Sequence, residues 1–249
     1  MENLGKEFKK YASKHIGLNS LTTDDVIGHQ IESSMTPMII EERQMNVISM
    51  SVFDRLMKDR QLFLYGTVDA RMSSVVNAQL LFLDSIDKKA DITLNLNSGG
   101  GSVLEGLSMV DVMNYVSCDI ATINLGMCAS MMSVILSSGK KGKRSALINS
   151  KVMVHQVSSG TSGHVDDNRI SQMEAEKYNY ILFKMLAKNC GKTFDEMYEI
   201  SPRDKWFNSD QAIKFGLVDE IIGVSDDNNI SNMLVGFDEH YQNLLNKQK

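Results

Sequence analysis

The sequence predicts an α/β fold with a largely parallel sheet. From Arg60 onward, short apolar runs of strand character alternate with segments of helical periodicity. The connections between them are only a few residues long, which is the pattern of strand–helix–strand units. The element ends also carry glycine or other small residues, and in such sheets ligands collect beyond the C-terminal ends of the strands.

Taken in order, residues 61–66 read as a strand closed by Gly66. Residues 75–85 place Val75, Val76, Leu80 and Leu83 at helical spacing. Residues 92–97 alternate apolar and polar side chains and predict a half-buried strand. The run Ser98-Gly99-Gly100-Gly101-Ser102 follows at once, and then a helix over 104–115 with Leu107, Val110 and Met113 on one side. A third strand spans 120–125, and residues 126–129 turn the chain into a helix of small and apolar residues over 130–138. Residues 152–155 predict another strand. A long helix from about Asp167 to Cys190 stops at Gly191, and Ser209 is placed to cap a short helix that stops at Gly216. Two loops at strand ends, 98–102 and 126–130, are therefore the candidate site loops.

Composition narrows the function. A chain of 249 residues makes one large domain or two small ones, and it buries enough surface to need neither disulfide nor metal. A net charge of −5 argues against nucleic acid as a partner, which calls for a clustered basic face. No apolar run approaches the roughly 20 residues that cross a bilayer. The opening MENLGKEFKKYASKH lacks the apolar core of a secretory signal and carries Glu2 and Glu7, unlike a transit peptide, so the expected location is cytoplasmic. Cys118, Cys128 and Cys190 are widely spaced with no CxxC, and the five histidines show no HExxH. No metal site, disulfide framework or cofactor is expected, and the thiols read as buried and inert. Residues 1–35 are polar and read as an N-terminal extension or propeptide. Residues 36–224 read as one domain that begins around Pro37, and 225–249 as a polar tail.

The residues able to carry chemistry each have a plain structural reading. The glycine run lacks the lysine of a P-loop and the spacing GxGxxG, so a tight turn accounts for it as well as a ligand does. Ser130 stands at a strand–turn–helix junction, where an oxyanion would meet free N–H groups. It does not match GxSxG, and serine there is more often a helix cap. His155 ends an apolar strand, as buried structural histidines do, and Asp204 has the charged neighbours of a surface turn. All three sit at or beside element ends, which makes a spatial Ser-His-Asp arrangement geometrically open.

Together these segments resemble the Clp protease proteolytic subunit (ClpP) family of ring-forming serine peptidases, from about Pro37 to Ile222. Asn97-Ser98-Gly99-Gly100-Gly101 resembles the family's NSPGG loop, and Gly126-Met127-Cys128-Ala129-Ser130-Met131 its GxxASM segment. Met153-Val154-His155-Gln156 resembles MxHQ. Arg203-Asp204, with Ser209 and Phe215-Gly216-Leu217-Val218-Asp219, resembles RD…S…YGLVD. The resemblance implies a ClpP/crotonase-like fold of stacked ββα units, with residues 156–190 as a protruding strand–helix handle. It implies Ser130 as nucleophile, His155 as general base, Asp204 as the orienting carboxylate, and the N–H groups of Gly100 and Met131 as oxyanion donors. It further implies an ATP-dependent endopeptidase of protein quality control. In this family two heptamers stack into a tetradecamer, unfolded polypeptides are fed by a hexameric AAA+ unfoldase that uses the ATP, and a second ClpP-type subunit can share the ring. No nucleic acid, membrane or cofactor takes part.

The chain departs from the family pattern at a few positions. Gly99 and Val157 stand where proline is usual, Pro202 where an acidic residue precedes Arg203, and Thr93 and Asn95 where aromatics line the unfoldase groove. Tyr115 and Ile222 keep that groove's apolar character. The rival readings are a weakly active structural or regulatory subunit of a mixed ring and a crotonase-type acyl-CoA enzyme, which needs no Ser-His-Asp set. A membrane signal-peptide peptidase with a Ser-Lys pair is a third.

Overall fold

The computed structural model describes residues 38–43, 46–160, 162–201, 203–223, 234–237 and 241. The extension at 1–35, Pro37, Pro202 and most of the tail at 225–249 lie outside the described residues. Backbone contacts divide the chain into two compact units, Met1–Asp59 and Arg60–Lys249. In the first, β1 (Met38–Arg43) and β2 (Asn46–Ser51) form an antiparallel pair. Helix α1 (Val52–Lys58) follows, closed by a reciprocal Ser51–Asp54 capping box.

The second unit holds a seven-stranded sheet. Its elements are β3 (Gln61–Tyr65), α2 (Ala70–Ile86), β4 (Ile92–Ser98), α3 (Val103–Tyr115), β5 (Ile120–Ala129), α4 (Met131–Ser137), β6 (Arg144–Leu147), β7 (Lys151–Val154), α5 (Val165–Cys190), α6 (Phe194–Ile200), β8 (Lys205–Asn208), α7 (Ser209–Phe215) and β9 (Glu220–Ile222). Strands β3, β4, β5, β6 and β9 run in that spatial order, all parallel, with β7 leaving β5 and pairing antiparallel with β8. The mixed α/β fold with its parallel sheet is the one predicted. No described helix is long and apolar enough to cross a membrane.

Three local expectations are corrected. Strand β4 is not half-buried: Asn95 is buried along with Ile92, Leu94 and Leu96. It lies mid-sheet, and a buried amide there needs partners. Asn95 Nδ2 donates to Gln61 Oε1 and to Leu62 O of the neighbouring strand. Residues 126–129 are not a turn but the second half of β5. The first half pairs with β6 (Thr122↔Arg144), and after a register shift against β4 the second half pairs with β7 (Cys128↔Val152). Two asparagines hold the switch. Asn124 Oδ1 accepts from Gly126 N–H and Asn97 Oδ1 from Met127 N–H, each at 3.1 Å, while Asn124 Nδ2 donates to Lys151 O. Finally, Ser209 is the first residue of α7 and not its cap. Asn208 accepts from Gln211 N–H, and the Ser209 hydroxyl donates to Ile148 O.

Among the described residues, charge enters the core at one place. Arg144 is 1% exposed, and its guanidinium reaches both oxygens of Asp219, at 2.8 and 2.6 Å. It also donates to Ser137 O at the end of α4 and to Asn189 O near the end of α5. Burial acts to raise the Asp219 carboxyl, but Arg144, Lys141 and the Gly142 N–H outweigh it and hold it well below the usual carboxylate range. The three cysteines are free and buried. Burial pushes Cys190 up to about 11, against the opposing pull of Arg144, and Cys128 well above the usual thiol range, so neither is thiolate at neutral pH.

Candidate active site

Strand β7 assembles the site. On one side it runs parallel to β5 in a register that sets Ala129 against Met153, and Ser130 N–H donates to Met153 O at 2.9 Å. On the other it runs antiparallel to β8, with Val154 opposite Lys205. One step further along that ladder, His155 faces Asp204. Ser130 and Asp204 thus arrive from opposite sides of the strand that leads into His155.

The side chains complete the chain of contacts. Ser130 Oγ lies 2.7 Å from His155 Nε2, and His155 Nδ1 lies 3.3 Å from Asp204 Oδ1. With Nδ1–H turned toward the carboxylate, Nε2 is the acceptor for the serine hydroxyl. The Asp204 side chain is 60% exposed, so water screens its hold on the imidazole. Ser130 occupies the cap position of α4 but makes no side-chain cap, because its hydroxyl goes to His155. Its backbone stands at φ 55°, ψ −127°, an uncommon conformation for a residue with a side chain.

The glycine loop packs directly on this turn. A Cβ at Gly100, whose φ is +94°, would lie 2.7 Å from both Ala129 O and Ser130 Cβ. The Gly100 N–H does not face the serine as expected: it donates to Ser98 Oγ at 3.0 Å, and that hydroxyl in turn bonds Gly66 O. The loop joins Val68 through Gly100 O and Ser102 N–H, which leaves the Gly101 N–H out of the bridge. Gly101 lines a cavity of about 170 Å³ together with Ser130, Met131 and His155, and Gly100 does not. Met131 opens α4, so its N–H has no intrahelical acceptor. The apolar wall of the cavity comes from Val103, Val134, Val154, Leu182, Phe183 and Leu186.

Ser130, His155 and Asp204, singled out from the sequence, are brought together, and Met131 adjoins them. Gly101 replaces Gly100 at the cavity. Two residues escaped the sequence reading. Ser98 looks like an ordinary turn serine before glycines. Asn179 looks like one more polar residue of a long helix, yet it lines the cavity and accepts from Val157 N–H.

A family model described as Clp protease matches residues 43–225. The chain is 44% identical over 216 residues to the ATP-dependent Clp protease proteolytic subunit of Bacteroides fragilis, covering 87% of this chain and 98% of that protein. It is 46% identical over 217 residues to the subunit of the same name from Porphyromonas gingivalis, covering 87% and 97%. Against that of Streptococcus pyogenes it is 42% identical over 190 residues, covering 76% and 97%.

Proposed function

The chain belongs to the Clp protease family, and from that premise we propose that it is the proteolytic subunit of an ATP-dependent Clp protease, a serine endopeptidase acting on unfolded polypeptides. The observation that carries the reading is the contact chain from Ser130 Oγ through His155 to Asp204. In this reading His155 Nε2 takes the hydroxyl proton as Ser130 Oγ attacks the peptide carbonyl carbon. Asp204 keeps the proton on Nδ1 in place and favours the imidazolium that forms. The oxyanion receives the N–H groups of Met131 and Gly101, since Gly100 N–H is engaged by Ser98. His155 then passes its proton to the leaving amine, and water, activated by the same imidazole, hydrolyses the acyl-enzyme. The apolar cavity beside Ser130 receives the side chain that precedes the scissile bond. No step calls for a cofactor on this chain.

The proposed assembly is two stacked heptamers enclosing the sites, served by a hexameric AAA+ unfoldase that consumes the ATP. Its support here is apolar surface. Helix α5 exposes Val165, Ile170, Met173 and Ile181, as a handle meeting another subunit would, and Tyr115 is exposed on the face assigned to the unfoldase. Asn95, assigned to the same groove, is buried with its Nδ2 bonded, so it presents no unanswered donor there.

A fluorophosphonate probe tests the nucleophile. It should label the purified particle at Ser130 and fail to label a correctly assembled Ser130→Ala particle. Labelling that survives the substitution, or no labelling of intact wild-type particles, overturns the reading.

A further inference from the structure

Helix α5 turns Asn179, Leu182, Phe183 and Leu186 onto the cavity, the i, i+3, i+4, i+7 positions of one helical face. The last three are buried and apolar. The first is an amide, and its orientation is fixed: Val157 N–H donates to its oxygen, Oδ1, at 3.0 Å. That donor exists because residue 157 is valine, since a proline has no N–H. An N–H must meet an acceptor, so the amide cannot be turned the other way, and Nδ2 is left as a pair of donors. Among the described residues none accepts from it. The other polar groups of the wall are spent or unfixed. The Ser133 hydroxyl donates to Ser130 O, and among the described residues no hydrogen bond sets the direction of the Gln156 or Ser158 side chain.

We propose that Asn179 is a specificity-determining residue of this site. Its Nδ2 donates to an acceptor carried by the substrate side chain that fills the cavity, so the site favours a moderate-sized apolar side chain ending in an acceptor over one that is apolar throughout. This rests on the peptidase reading above. The cavity of about 170 Å³ holds one side chain, since a cavity of about 150 Å³ takes a single benzene. An all-apolar occupant would cover the Nδ2 donors without answering them, and a covered, unanswered donor costs more than a made bond returns. Sites built to hydrogen-bond a substrate discriminate on that basis.

The test uses two fluorogenic peptides that differ only in the residue before the scissile bond, norleucine or methionine sulfoxide. The two side chains have similar length, and the sulfoxide accepts but cannot donate. The readout is the kcat/KM ratio of sulfoxide to norleucine peptide for the unmodified particle, for Asn179→Leu and for Asn179→Asp. A change in His155 geometry affects both peptides and cancels in the ratio. The aspartate keeps an oxygen for Val157 N–H while removing the donors, and the leucine removes both. Both variants should lower the ratio by about tenfold or more, the effect of one hydrogen bond lost with its donor or met by a second acceptor. A ratio within about twofold of the unmodified one in the aspartate variant overturns the proposal, even if the leucine variant falls, because the effect then comes from the Val157 anchor. If the leucine variant does not assemble, the aspartate variant decides alone. Fluorophosphonate labelling without cleavage of either peptide overturns the proposal only. Absence of both labelling and cleavage overturns the peptidase reading and the proposal with it.

Discussion

Ser130 holds a backbone conformation that costs a residue with a side chain about 1–3 kcal/mol. Its surroundings sustain it: its N–H is tied to Met153 O, and its carbonyl accepts from both the N–H and the hydroxyl of Ser133. The return on that strain is direction, because the hydroxyl reaches His155 and not the first turn of α4. Glycine adopts positive φ freely and alanine does not. Ser130→Ala and Ser130→Gly should therefore both lose several orders of magnitude in peptide cleavage, while the glycine variant unfolds at the higher temperature, by about 1 kcal/mol in stability. Equal thermal midpoints in calorimetry would show that the site carries no strain. Ser98 is the second residue to test. Its buried hydroxyl bridges Gly66 O and Gly100 N–H and so sets the path of the loop that presents Gly101. Ser98→Ala should reduce kcat by about 10–100-fold with KM little changed, as for loss of an oxyanion donor. A rise in KM alone would show that the loop binds substrate and does not stabilise the transition state.

Between elements, the strongest tie is Arg144. From β6 it reaches the ends of α4 and α5 and the carboxylate that precedes β9. Asp219→Asn leaves that guanidinium buried without its counter-charge and should cost about 3–5 kcal/mol, read by urea unfolding at neutral pH. The pH dependence has a definite sign. A carboxyl held below its unfolded value stabilises the fold fully above the ordinary carboxylate range and loses that contribution as pH falls toward its folded value. Wild type should therefore lose stability on acidification through that range more steeply than Asp219→Asn. Parallel pH profiles for the two would remove Asp219 from the account of acid unfolding.

For the molecule as a whole, an exposed apolar stripe on a long helix calls for a partner surface, since burying apolar area returns roughly 25 cal/mol per Å². Helix α5 carries that stripe in Ile170, Met173 and Ile181, and the face that lines the cavity lies on the same helix. Under the proposed stacking of two heptamers, assembly and cleavage are thereby linked through one element. Ile170→Lys with Ile181→Lys should yield particles of half the mass in sedimentation velocity and lower peptide turnover with them. Full-size, fully active particles from the double variant would place the ring–ring contact elsewhere.

The alternation of elements, the long helix ending at Gly191 and the placing of Ser130 and His155 at element ends are local properties, written in periodicity and in small residues at turns. They are legible without any fold. Asp204 is different. Only the resemblance of Arg203-Asp204 to a family motif marks it, and no periodicity does, because β8 is four residues long and too short to show a period; its place opposite His155 follows from the β7–β8 register. The same holds for the transfer of β5 from β6 to β7, where the turn-like residues 126–129 prove to be strand. It holds too for the donor role proposed for Gly101 over Gly100, which depends on a hydroxyl at Ser98 and a bridge to Val68, and for Asn179, which meets Val157 across 22 residues of chain. Each of these is a pairing between distant segments. Its free energy arises only when the sheet has closed and water has left, so no short window of residues can carry its mark.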